Sequence, residues 1–105
     1  MEKLVAVIDD DDDNREIITA ILLDAGFAVR DFRTSADAEH AIAGEHVALV
    51  VLDGGMPLPD VNAPTVVVSA ALDIVGQAAR VGARAWLKKP FALEDLVALV
   101  RANAA

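Results

Sequence analysis

The chain has 105 residues, 55% of them hydrophobic and 25% charged, with a formal net charge of −8. That length points to a single domain spanning 1–105 with a modest core, and the apolar fraction excludes disorder. The acidity disfavours nucleic acid and anionic membranes as partners and suits cations or a basic protein.

The first apolar run, Leu4–Ile8, reads as a buried strand that ends at Asp9 and Asp10. Five residues are too few for a secretory core or a membrane span, so a cytoplasmic protein is expected. There is no cysteine, which excludes disulfides and thiolate metal sites. Asp11, Asp12 and Asp13 extend the acidic run, and Asn14 or Asp13 is placed to cap a helix over Arg15–Ala25, with Gly26 as its stop. Asp9, Asp11 and Asp13 have the 1-3-5 spacing of a calcium loop. Asn14 stands where that loop needs glycine and Ala20 where it needs glutamate, so the reading fails.

Phe27–Phe32 has the mixed polarity of an edge strand. Thr34 or Ser35 opens a short helix over Ala36–Ala43, closed by Gly44. Val47–Leu52 is an unbroken apolar run leading into Asp53, the pattern of a strand covered on both faces. Thr65–Val68 is a further β-branched strand ending at Ser69. Leu72–Val81 is loosely amphipathic and stops at Gly82. Ala85–Lys88 is a short last strand, followed by Lys89, Pro90 and Phe91. Leu93–Ala102 reads as a closing helix with Leu93, Leu96, Val97 and Val100 on one face.

Strand and helix thus alternate, which predicts a parallel sheet with helices on both faces. One interval departs from this pattern. The eleven residues between Asp53 and Thr65 hold Pro57, Pro59 and Pro64, which leave no room for a useful helix. Eleven extended residues reach roughly 36 Å, and the return along a strand needs about 17–20 Å. A helix-free crossover is therefore feasible.

In a parallel sheet the ends of all strands share one edge. Asp9, Asp10, Asp53, Ser69 and Lys89 would meet there. Three carboxylates call for a cation, and an all-oxygen set suits Mg²⁺ or Mn²⁺. A lysine and a hydroxyl beside them can bind phosphoryl oxygens. His40 and His46 have no second ligand at useful spacing, and Gly54-Gly55 is not followed by the residues of a phosphate loop.

The order Asp9-Asp10, Asp53 with Met56-Pro57, Val68-Ser69-Ala70 and Lys89-Pro90-Phe91 resembles a response regulator receiver domain over nearly the whole chain. The resemblance implies a flavodoxin-like, doubly wound α/β fold with five parallel strands in the order 2-1-3-4-5. It implies Asp53 as the phosphoacceptor, with Asp9, Asp10, Asp53 and the Gly55 backbone carbonyl as ligands of Mg²⁺ or Mn²⁺. Ser69 would be the hydroxyl that moves toward the phosphoryl group, Lys89 would pair with that group, and the bond to Pro90 would be cis. Trp86 falls at the switch aromatic, where tyrosine or phenylalanine is usual. A histidine kinase or histidine phosphotransfer protein would be the donor. Output would pass to a downstream protein through the family's fourth helix, fifth strand and fifth helix. The chain would be no enzyme beyond self-phosphotransfer and autodephosphorylation.

Two departures from the family stand out. The third helix is replaced by the proline-rich loop, which predicts an apolar strip that shifted helices cover or that lies exposed as a contact surface, for example in a homodimer. Gly55 and Ala71 stand where side chains usually tune loss of the phosphoryl group, which predicts slow self-dephosphorylation. The alternatives are a phosphorylation-independent interaction or dimerisation module and a haloacid dehalogenase-like phosphohydrolase with Asp9 as nucleophile and Asp11 as acid/base. The small size, and the lack of any role for Asp53 in the second, weigh against it.

Overall fold

Alternation of side chains along the strands decides where everything else packs. A computed structural model describes residues 2–105. Its strands are β1 (Leu4–Ile8), β2 (Ala28–Phe32), β3 (Leu49–Asp53), β4 (Thr65–Ser69) and β5 (Ala85–Lys88). They pair in parallel in the order β2-β1-β3-β4-β5, as the resemblance implied. Between and after them lie α1 (Asp12–Asp24), α2 (Ser35–Ala41), α3 (Ile74–Arg80) and α4 (Leu93–Asn103).

Because neighbouring strand residues point to opposite faces, the continuous apolar runs supply two cores at once. Val5, Val7, Leu49, Val51, Val66 and Val68 turn toward Ile18 and Leu22 of α1 and Leu96 and Val100 of α4. On the other face Ala6, Ile8, Val50 and Leu52 meet Ala38 of α2 and Ile42 just beyond it. Val67 on that same face is covered by Ile74 and Ala78 of α3.

Several helix ends differ from expectation. α1 begins before Arg15, and neither Asn14 nor Asp13 caps it. Asp11 does, its carboxylate accepting from the Asn14 N–H at 3.0 Å. Carboxylates are favoured beside the free N–H groups of a helix start, so Asp12 and Asp13 enter the first turn rather than precede it. α3 starts later than expected because Asp73 caps it through the Gly76 N–H at 3.1 Å, leaving Leu72 outside and 95% exposed. Leu93 lies on the outer side of α4, which narrows the buried stripe to Leu96 and Val100.

The segment 54–64 carries no helix, as its prolines require. The strip beneath it is neither bare nor covered by displaced helices. Met56, Val61 and Ala63 of the loop itself, with Val81 just beyond α3, pack onto the cluster of Ala6, Ile8, Val50 and Leu52. Two polar contacts hold the loop against α2. The buried Ser35 hydroxyl donates to the Pro57 carbonyl, and the Asp60 N–H donates to the Glu39 carboxylate at 2.7 Å. At the loop's end the Pro64 carbonyl accepts from Val50 N–H at 2.8 Å, which starts the β3–β4 pairing.

Candidate functional site

Parallel pairing brings the ends of β1, β3, β4 and β5 to one edge, and the register sets how closely. Ile8 pairs with Leu52, so Asp9 follows β1 next to Asp53, the last residue of β3. Ser69 closes β4 and pairs with Lys88, and the Lys89 N–H donates to the Ser69 carbonyl at 2.8 Å. The Lys89–Pro90 peptide bond is cis.

The charged groups converge on the Lys89 ammonium. Its Nζ donates to Asp53 Oδ1 at 2.8 Å and to Asp9 Oδ2 at 3.3 Å. Asp9, only 2% exposed, accepts a further bond at Oδ1 from the Asp11 N–H at 2.9 Å. Asp10 is exposed on the rim. Asp9, Asp10 and Asp53 each offer a carboxylate oxygen, and all three lie within 4.8 Å of one another. Burial raises the Asp53 carboxyl above its ordinary value; the bond from Lys89 opposes this, and the charges of Asp9 and Asp10 reinforce it. Burial draws the Lys89 ammonium down, but Asp53 and Asp9 outweigh that and leave it above its usual range. Lys89 pairs with both Asp9 and Asp53 while Asp10 adds a third carboxylate at the same edge, so negative charge is in surplus.

That surplus is the test of fit for a metal. Clustered carboxylate oxygens, hard and anionic, match Mg²⁺ or Mn²⁺, and among the described residues the group holds neither cysteine nor histidine. Gly55, two residues past Asp53, has φ +87°, a conformation that glycine adopts without strain.

Ser69 is buried at the same edge, with its Oγ accepting from the Ala71 N–H at 3.1 Å. Among the described residues its hydroxyl bonds to neither the Asp53 carboxylate nor the Lys89 ammonium. Trp86 stands on β5, paired with Val67 in the ladder, and is 46% exposed. Asp11 is taken up as the α1 cap, which leaves it unsuited to the acid/base role of a phosphohydrolase.

Two residues that the sequence reading passed over belong to this edge. The Arg15 guanidinium donates to the Asp9 carbonyl at 3.0 Å, to Asp31 at 3.0 Å and to Asp12 at 2.8 Å, pinning the β1–α1 turn. Its position three residues after Asp12 on the helix was the available signal. Gln77 of α3 reaches over Gly54, and nothing in its helical context announces this.

Residues 5–101 match the family described as the response regulator receiver domain. The transcriptional regulatory protein GltR of Pseudomonas aeruginosa is 29% identical, covering 93% of this chain and 47% of its own length. The chain thus spans less than half of that relative. The alignment runs over 118 positions, more than this chain contains, so the relative holds residues that are missing here. Among solved structures, a response regulator receiver protein from Burkholderia phymatum is 27% identical with a TM-score of 0.80, over 96% of this chain and 94% of that one. The Vibrio cholerae chemotaxis protein CheY4 shares the fold at TM-score 0.83 and 20% identity, over 98% and 99% of the two chains. Among the described residues no helix is long and apolar enough to cross a membrane.

Proposed function

The chain belongs to the response regulator receiver domain family of two-component signalling, and from that premise we propose that Asp53 accepts a phosphoryl group and relays its presence to a downstream protein. One observation carries this reading: Asp53 ends β3 within reach of Asp9 and Asp10, with the Lys89 ammonium 2.8 Å from its Oδ1. A bound Mg²⁺ would be held by Asp9, Asp10, Asp53 and the Gly55 carbonyl, and would offset the charge of an incoming phosphoryl group. Asp53 supplies the attacking oxygen. A P–O bond to Asp53 forms as the donor's P–N bond breaks, and the leaving imidazole takes up a proton from solvent. Lys89, held cationic, turns from Asp53 toward a phosphoryl oxygen, and the Ser69 hydroxyl donates to another. The chain catalyses its own phosphorylation and dephosphorylation and nothing further.

The phosphodonor is a histidine kinase or a histidine phosphotransfer protein. Its docking surface is an apolar groove of about 490 Å³ between α1 and the start of α4, lined by Ile17, Ile21, Phe91 and Leu93. Ile17 and Leu93 are 53% and 52% exposed there, and Lys89 lines the groove while also touching Asp53. A partner seated in it presents its phosphohistidine to the acceptor. Output runs through α3, β5 and α4, where Val75, Trp86 and, just before α3, Leu72 face solvent. Dimerisation through the strip below the proline-rich loop has lost its surface, because Met56, Val61 and Ala63 cover it.

Incubation with acetyl phosphate and Mg²⁺, followed by intact-mass measurement, tests the proposal. Wild type gains one phosphoryl group and Asp53→Asn gains none. Continuous phosphate release that requires Asp9 but not Asp53 would overturn it in favour of a hydrolase.

A further inference from the structure

We propose that Ser35 and Glu39 of α2 are positioning residues for the metal site: with no helix after β3, they hold the proline-rich loop so that the Gly55 carbonyl stays available to Mg²⁺. The inference rests on the metal reading given above and adds the residues that keep its backbone ligand in place.

Gly55 is exposed, two residues past Asp53, with φ +87°. Glycine enters that conformation freely and leaves it as freely, so whatever fixes Gly55 comes from its neighbours. The Met56 N–H donates to the Asp53 carbonyl at 3.2 Å. Met56 precedes Pro57, which narrows its backbone, and the Pro57 ring sets its own φ. A tie at Pro57 is therefore passed back to Gly55 with little slack.

That tie comes from α2. Thr34 caps the helix, its Oγ1 accepting from the Asp37 N–H at 3.1 Å, which frees the next hydroxyl, on Ser35, for another use. Ser35 is 3% exposed and donates to the Pro57 carbonyl. Burying a hydroxyl without an acceptor is costly, so the contact is favoured by both sides. One turn further along α2, the Glu39 carboxylate accepts from the Asp60 N–H at 2.7 Å, a charge-assisted bond. Residues four apart share a helix face, and the two anchors bracket the segment from Pro57 to Asp60. Within it Pro57 and Pro59 have no N–H to bond elsewhere. On the α3 side a gap of about 220 Å³ lies between Gly55, Met56 and Pro57 and the side chains of Gln77 and Arg80. The near end of the loop is thus tied to α2 and not to α3.

Calorimetric titration with Mg²⁺ reads the metal, and hydrogen exchange over 54–61 in the metal-free protein reads the loop. Loss of a residue that orients a metal ligand weakens binding about 10–100-fold. Gly55 is one ligand among several, so Ser35→Ala is expected at the lower end, about tenfold, with faster exchange over 54–61. The substitution changes no charge, so electrostatics does not account for the loss. Glu39→Gln keeps an acceptor for the Asp60 N–H and rescues the affinity that Glu39→Ala loses. Val100→Ala, in the core on the opposite face of the sheet, lowers the melting temperature and leaves both readouts unchanged. Wild-type affinity in Ser35→Ala, or equal weakening in Val100→Ala, overturns the positioning role and leaves the metal site standing. Absence of Mg²⁺ binding by wild type, or binding undiminished in Asp9→Asn, overturns the metal reading and this inference with it.

Discussion

Truncating the loop side chains that cover the sheet measures whether the proline-rich segment truly replaces a helix. Val61 and Met56 are half-buried against Ala6, Ile8, Val50 and Leu52. Val61→Ala removes two partly covered methyl groups, and at about 0.8 kcal/mol per fully buried carbon the cost is about 1 kcal/mol. Met56→Ala removes more and costs about 2 kcal/mol. For a domain of this size each kcal/mol lowers the midpoint by about 4–8 °C. Thermal and urea unfolding followed by circular dichroism read both. The two residues touch one cluster, so the double variant is expected to fall short of the sum. Leu58→Ala is the internal control: Leu58 lies on the same loop, is 47% exposed and joins no core cluster, so its effect stays within about 0.5 kcal/mol. If Val61→Ala and Met56→Ala behave like Leu58→Ala, the loop does not seal the face and the strip is open to partners.

Other outcomes follow from the charged edge. Lys89→Met leaves Asp9 and Asp53 without their cation and destabilises the protein by about 1–3 kcal/mol at neutral pH. Lys89 is raised above its ordinary 10.5 in the fold, so its stabilisation is complete below that value and is lost as pH rises through the higher folded value. The gap between wild type and Lys89→Met therefore closes only at strongly alkaline pH, and a gap that closed near neutrality would refute the assignment. Mg²⁺ stabilises wild type by mass action, about 2.7 kcal/mol at a hundredfold excess over its dissociation constant. In thermal melts Asp9→Asn loses most of that gain, and an equal gain in both proteins would place the ion elsewhere. Gly55 and Ala71 offer no side chain to orient an attacking water, so the phosphorylated protein decays over minutes or longer, and decay within seconds shows that water enters without them.

Some of the site was legible because it depends on short-range patterns. Each of Asp9, Asp53 and Lys89 sits at or just past the end of an apolar run, and parallel strands bring such positions to one edge whatever the loops do. The Asp12–Arg15 spacing signals one ion pair on the helix, but the contacts that Arg15 and Gln77 make across elements were not legible. Arg15 reaches from α1 to the Asp9 carbonyl and to Asp31 at the far end of β2. Gln77 matters only because α3 crosses above Gly54. Helix starts were misplaced where an acid can serve equally as cap or first-turn residue, as at Asp11–Asp13.

Uninterrupted runs of β-branched and aliphatic residues determine a two-sided parallel sheet by themselves, because nothing else buries both faces of such strands. Three prolines in eleven residues likewise determine that no helix follows β3, through φ restriction and missing N–H donors. What covers the face left by that helix was decided by the tertiary structure alone. Met56, Val61 and Ala63 become core residues only when Ser35 and Glu39 of α2 hold the loop against the sheet. Their side chains carry no periodicity that could signal burial, and a contact between segments some twenty residues apart has no trace in either segment's local pattern.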